Sequence, residues 1–273
     1  MIYDITSLDI KALDPYFKLT EAQLRNKTEN ENGFFIVEST RAIEVALNMN
    51  ITPISMLMEE RHAKTNAKHI IERVGDIPVY VGKTELISKI TGYNLNRGIL
   101  CQMKRPALLK PDDVCKNAKR IAVFEDIVDT TNLGALFRSA AALNIDAVLL
   151  SPNCADPLCR RSVRVSMGTV LQIPWAYAET NSNTWYLNGI NNIKSFGFKT
   201  VALALNDNSI PINDKALLKE EKIALVLGTE GYGLKADTVN ACDFTAKIPM
   251  AHGVDSLNVA AAGAIAFWIL ANE

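Results

Sequence analysis

Four uninterrupted apolar runs in the second half of the chain, Ile121–Phe124, Ala147–Leu150, Val201–Leu205 and Ile223–Leu227, constrain the fold most. A strand with one wetted face alternates apolar and polar residues. A run without alternation is covered on both faces, as parallel strands flanked by helices are. Helical patterns over 132–144, 157–168, 184–196 and 234–242 lie among these runs. The alternation predicts an α/β domain with a parallel sheet. A last helix is expected from about Ser256, with Leu257, Ala261, Ala264, Ile265, Trp268 and Ile269 at helical spacing. Its alanine-rich face lets a second helix approach closely.

The first half reads as a smaller α/β unit. Strands are expected at Gly33–Glu38, Ile54–Met58, Ile77–Val81 and Gly98–Met103. Between them come a helix capped by Ser39, a polar helix over 60–74 and a short amphipathic helix from Lys83 to Ile90. Residues 1–30 are expected to form a leading helix, with a polar, mobile stretch around Lys27–Asn32. Lys104-Arg105-Pro106 and Lys110-Pro111-Asp112-Asp113 combine prolines with dense charge, as exposed connections do. The expected division is therefore 1–105, a linker at 106–118, and 119–273.

With 273 residues, 48% hydrophobic and 22% charged, the composition is that of a globular enzyme. No apolar run is long enough to span a bilayer. Met1-Ile2-Tyr3-Asp4-Ile5 lacks the basic-then-apolar pattern of a secretory signal, so a cytoplasmic location is expected. The five cysteines (101, 115, 154, 159 and 242) are odd in number and show no C-x-x-C spacing. The expectation is small buried thiols in a reducing compartment, with neither a metal site nor a disulfide framework. The formal net charge of −1 does not mark a nucleic-acid binder. Any affinity for phosphates would come from local clusters and would fall with salt.

Three segments each place polar or glycine residues just after an apolar run, where ligands bind at the carboxyl ends of strands in such sheets. The first segment is Asn132-Leu133-Gly134-Ala135-Leu136-Phe137-Arg138-Ser139-Ala140. Arg138 follows Asn132 by nearly two helical turns, so both could serve one side of a site if Asn132 opens the helix. The second is Leu225-Val226-Leu227-Gly228-Thr229-Glu230-Gly231-Tyr232-Gly233-Leu234. Its glycine order, G-x-x-G-x-G, is not the dinucleotide fingerprint, and no Gly-Lys-Ser/Thr follows to make a P-loop. The third is Ile248-Pro249-Met250, followed by Ser256-Leu257-Asn258-Val259. Read alone, Arg138 is an ordinary surface arginine, Glu230 a solvated loop residue and Ser256 a helix cap.

Taken together, in this order and at these separations, the segments resemble the three motifs of the SpoU–TrmH family. These are RNA 2′-O-ribose methyltransferases of the SPOUT superfamily. The resemblance covers roughly residues 120–272. It implies a C-terminal domain with a deep trefoil knot, preceded by a small α/β RNA-binding domain similar to ribosomal proteins, and a homodimer. It implies S-adenosylmethionine as cofactor, contacted at Leu205, Gly228, Ile248 and Leu257, and no metal. The catalytic set carried over is Asn132, Arg138, Glu230, Ser256 and Asn258. Arg138 would lie at the substrate ribose, where some accounts make it the base. A guanidinium titrates above pH 12 or so, which favours charge stabilisation and phosphate binding instead. Arg160, Arg161 and Arg164, three arginines in five positions, would grip the RNA backbone.

The sequence departs from the family pattern in places. Asp129-Thr130-Thr131-Asn132 replaces Asp-Pro-x-Asn, His252 stands where a glycine is usual after Met250, and Ala260 replaces a common serine. These changes concern loop shape and target more than chemistry. His252 is a conceivable acid–base group or an ordinary exposed loop residue. Ribosomal RNA is the favoured substrate, with transfer RNA the alternative. Two rivals stay open: methylation of a base nitrogen, and a non-catalytic RNA-binding or ribosome-assembly role.

Overall fold

Each apolar run of the second half lies in a strand of one sheet, except that the strand of the run at 201–205 ends at Leu203. The computed structural model describes residues 1–25, 33–91, 98–179, 181–229 and 231–271; the stretch expected to be mobile around Lys27–Asn32 lies outside them. The chain divides into two compact units, Met1–Ala107 with Leu158–Gln172, and Leu108–Pro157 with Ile173–Glu273. The segment expected as a linker carries a short helix, Pro111–Cys115.

The first unit is built on β1 (Ile2–Ile5), β2 (Phe34–Glu38), β3 (Pro53–Glu59), β4 (Val79–Gly82) and β5 (Ile99–Lys104), in sheet order β1-β4-β3-β5-β2. β1, β4 and β3 run parallel, while β5 is antiparallel to β3 and β2. The expected leading helix is absent. The chain begins with an edge strand in register with β4, followed by short helices at Lys11–Leu13, Asp14–Phe17 and Glu21–Arg25. Pro15 explains the fragmentation: without an N–H and with a ring that clashes one turn back, it can open a helix but not continue one. The polar helix over 60–74 is likewise two pieces, Glu60–Ala63 and Lys68–Val74. Between them the Thr65 hydroxyl donates to the Arg61 carbonyl, a local bond that competes with the helix. Ser39 caps the helix Thr40–Asn48, accepting from Ala42 N–H.

Helix Arg160–Val165 belongs to this unit. Arg160 donates two hydrogen bonds through Nε and Nη2 to Glu38 Oε2, at 3.2 and 3.0 Å, and Arg164 Nη1 lies 3.6 Å from Oε1. The Glu38 side chain is 3% exposed, so this ion pair closes the end of β2.

The second unit holds β6 (Arg120–Phe124), β7 (Ala147–Leu150), β8 (Trp175–Tyr177), β9 (Lys199–Leu203), β10 (Ile210–Pro211), β11 (Ile223–Leu227) and β12 (Phe244–Lys247). They form one sheet, β10-β12-β9-β11-β6-β7-β8, in which every pairing is parallel. β7 and β11 are buried along their whole length, as continuous apolar runs require. β12 ends at Lys247, two residues short of Pro249, which has no N–H for a ladder. The last helix spans Val259–Ala271 and packs on the helix Thr130–Ala142. Its buried stripe is Val259, Gly263, Ala266, Phe267 and Leu270. At Gly263 a Cβ would lie 2.5 Å from Leu136 Cδ2, so glycine sets the interhelical distance.

Cys101, Cys115, Cys154 and Cys159 are buried and Cys242 partly so, all as free thiols. Burial pushes the Cys115 and Cys154 thiols up to about 11 and Cys242 up to about 12. Among the described residues, no helix is long and apolar enough to cross a membrane.

Candidate active site

Two helices begin side by side at the site. Asp129, not Asn132, caps the helix Thr130–Ala142: its carboxylate accepts from Asn132 N–H at 2.8 Å. This places Asn132 in the first turn with its side-chain amide free to face another element. The amide oxygen accepts from Asn258 Nδ2 at 3.1 Å, across 126 positions of sequence. Asn258 in turn caps the last helix, its Oδ1 accepting from Ala260 and Ala261 N–H at 3.0 and 3.3 Å. Ser256, the expected cap, donates instead to Asp255 Oδ1 at 3.0 Å. The first and third motifs thus meet through a direct amide–amide bond at two helix N-termini, whose partial positive charges converge there. Arg138 is exposed and makes no hydrogen bond or ion pair with another described residue. Glu230 lies outside the described residues. His252 is exposed, in a left-handed conformation with φ +58°.

A cavity of about 660 Å³ opens at the carboxyl ends of β9, β11 and β12. That is the size of a small-molecule site. Leu203–Asn206, Gly228 and Thr229, Gly231–Leu234, Lys247 and Ile248, and Asp255–Leu257 line it. All four positions expected to touch the cofactor, Leu205, Gly228, Ile248 and Leu257, are among them, as is Ser256. Asn132, Arg138 and Asn258 do not line it. At Gly228 a Cβ would lie 2.4 Å from the carbonyl carbon and oxygen of Gly233 and 2.5 Å from Leu234 N. Only a residue without a side chain lets this loop close on itself and present its backbone to the cavity. Leu205 and Leu257, 54% and 39% exposed, offer apolar surface to a ligand, and Asn206, Lys247 and Asp255 offer polar groups. A nucleoside joined to a charged amino acid, as S-adenosylmethionine is, matches that mixture.

The end of β6 supplies residues that no motif flagged. Glu125 is 1% exposed. Its Oε2 accepts from Trp185 Nε1 at 2.8 Å and Thr238 Oγ1 at 2.6 Å, and its Oε1 from Lys235 N–H at 3.0 Å. It therefore ties the end of the Gly228–Leu234 loop to the sheet. Beside it, Asp126 (φ +56°) accepts from Tyr186 Oη at 2.5 Å and Ser151 Oγ at 3.0 Å. Lys235 Nζ stands 3.3 Å over the Tyr186 ring. Burial, then the bond to Asp126, raises the Tyr186 phenol above its ordinary range; the bond with Tyr186 raises Lys235. An acidic pair directly after an apolar strand was the available signal, but the partners are 25 to 113 positions away.

Comparison with known proteins places this arrangement. A model of the SpoU rRNA Methylase family matches residues 119–268. An uncharacterized tRNA/rRNA methyltransferase of Mycobacterium tuberculosis is 33% identical over 268 residues, 98% of this chain and 91% of that protein. A 23S rRNA (guanosine(2553)-2′-O)-methyltransferase of Bacillus subtilis is 26% identical over 88% of this chain and 89% of its own length. The AdoMet-bound rRNA methyltransferase of Sinorhizobium meliloti shares the fold, with a TM-score of 0.78 at 24% identity over 98% of this chain and 97% of that one. The chain belongs to the SpoU rRNA methylase family and is an RNA methyltransferase.

Proposed function

We propose that this chain methylates the 2′-oxygen of a ribose in structured RNA, ribosomal RNA before transfer RNA. The observation that carries the reading is the Asn132–Asn258 bond, which brings the first and third motifs together at two helix N-termini. Backbone at Gly228, Ile248 and Leu257, with the Leu205 side chain, holds the cofactor. The cofactor supplies a sulfonium methyl that is already activated for transfer. What the chain adds is position and charge. Arg138 binds the phosphate next to the target ribose and stabilises charge growing on its 2′-oxygen. A donor of this kind contributes about 2.7–4 kcal/mol. Ser256, Asn258 and Asn132 orient the hydroxyl, and Glu230 orients Arg138 or binds a ribose hydroxyl. Orientation alone contributes roughly 7–11 kcal/mol in well-aligned reactions. A 2′-hydroxyl target restricts the substrate to RNA over DNA.

Further parts of the reading concern assembly. The second unit carries a deep trefoil knot, supported by β12 lying between β9 and β10 and by the last helix packing on Thr130–Ala142. A homodimer forms through the exposed stripe Ala261, Ile265 and Trp268, of which Ile265 is 39% and Trp268 60% exposed. The first unit binds RNA, with Arg161 and Arg164, exposed on their helix, meeting phosphates, although Arg160 and Arg164 also pair with Glu38. The protein acts in the cytoplasm. The Bacillus relative makes 23S rRNA the first RNA to try. The experiment is methyl transfer from labelled S-adenosylmethionine to total RNA of a host lacking this chain. Label in large ribosomal RNA, lost with Arg138→Ala while cofactor binding persists, supports the reading. Unchanged transfer by Arg138→Ala contradicts it.

A further inference from the structure

One side chain at the cavity has no role in the fold or in the chemistry above. Tyr232 is 99% exposed and lines the same cavity as Gly228, Ile248 and Leu257. Its described neighbours are bonded to one another. Thr229 N–H donates to the Gly233 carbonyl at 3.2 Å and Gly233 N–H to the Thr229 carbonyl at 3.0 Å, while Tyr232 N–H donates to Thr229 Oγ1 at 3.3 Å. Gly228 is wedged against Gly233 and Leu234 at the base of the loop. The flanks of Tyr232 are open: a Cβ added at Gly231 or Gly233 would meet no atom within 4 Å. Tyr232 therefore presents an aromatic ring to solvent at the mouth of the site. Such a ring carries roughly 150–250 Å² of surface that gains from contact with a flat partner.

We propose that Tyr232 is a stacking platform for a nucleobase of the RNA, at the modified nucleotide or its immediate neighbour. The proposal rests on the ribose-methylation reading. Transfer to a 2′-oxygen leaves the base outside the chemistry, so the nucleotide is held through its phosphate and its base. The exposed Arg138 suits the phosphate, and the open ring of Tyr232 suits the face of an unstacked base. Every base has such a face, so the contact adds affinity without choosing sequence.

The test compares Tyr232→Phe, Tyr232→Leu and Tyr232→Ala with the unmodified full chain. Four readouts are taken: methyl transfer to unmethylated large ribosomal RNA, calorimetric cofactor binding, molar mass in solution, and quenching of a 2-aminopurine-containing oligoribonucleotide. Leu and Ala lower kcat/KM for RNA by about 5- to 150-fold, chiefly through KM, and abolish the quenching. Phe, which keeps the ring, recovers most of both. Cofactor affinity and molar mass stay unchanged. Leu matching the unmodified chain in kinetics and quenching overturns the proposal. So does a parallel loss of cofactor affinity, which makes the ring's partner the cofactor, or a fall in molar mass, which makes it a second copy. If the unmodified chain transfers no methyl to a ribose yet shows ring-dependent quenching, the ribose reading fails and the stacking proposal stands.

Discussion

Replacing Glu125 by glutamine changes one atom and should cost the protein measurable stability. The carboxylate has two acceptor oxygens and three donors: Trp185 Nε1 and Thr238 Oγ1 on one, Lys235 N–H on the other. An amide offers one oxygen and one NH2. With its oxygen toward Trp185 and Thr238, the NH2 opposes Lys235 N–H. Turned over, it satisfies Lys235, and the Thr238 hydroxyl can rotate to accept, but the indole N–H loses its acceptor. Either orientation leaves one buried donor orphaned, a penalty of about 1–3 kcal/mol. Glu125→Ala orphans all three donors, at about 1–3 kcal/mol for each one left unsatisfied, and opens a cavity besides. In thermal unfolding, each kcal/mol lowers Tm by about 2–4 °C for a unit of 150–250 residues. Because Lys235 closes the Gly228–Leu234 loop, cofactor affinity should fall as well. A Glu125→Gln variant that melts with the unmodified protein and binds cofactor equally well would refute the reasoning.

Gly228→Ala puts a methyl group 2.4 Å from backbone atoms that cannot rotate away. Overpacking of this kind costs about 1–3 kcal/mol, and calorimetry should show weakened cofactor binding before circular dichroism shows any loss of helix. Asn258→Ala removes both a helix cap, about 1 kcal/mol, and the bond to Asn132, about 0.5–1.5 kcal/mol. Asn132→Ala removes only the bond, so it should destabilise less, and a double-mutant cycle in urea should return the shared part. Asp243 titrates below its ordinary value: burial alone would raise it, but hydrogen bonds from Thr200 N–H and Oγ1 and the Lys194 charge outweigh that. A depressed folded-state value stabilises the fold above the unfolded value of about 3.9, and the gain is lost as pH falls through the lower folded value. Asp243→Asn should therefore flatten the acid limb of the stability profile and leave its neutral-to-alkaline shape unchanged.

The parallel sheet was legible because β6, β7, β9 and β11 are central strands, and strands covered on both faces leave unbroken apolar runs. β8 and β10, with three and two residues, are too short to leave a pattern. β12 is only partly buried, so its apolar signal was weak. Pro15 broke a leading segment that hydropathy alone made helical. At the site, Asn132, Gly228, Ser256 and Asn258 announced themselves through local patterns. Which asparagine caps and which bonds across the site depended on the meeting of two helices. Glu125, and the pairing of Arg160 and Arg164 with Glu38, were illegible for the same reason: each depends on a partner more than a hundred positions away.

The central claim is that the methyl goes to a ribose oxygen. The direct measurement is digestion of labelled large ribosomal RNA to nucleosides, with the label located by chromatography and mass. The account predicts label in a single 2′-O-methyl nucleoside whose base is unmodified. Label on a base nitrogen would contradict it.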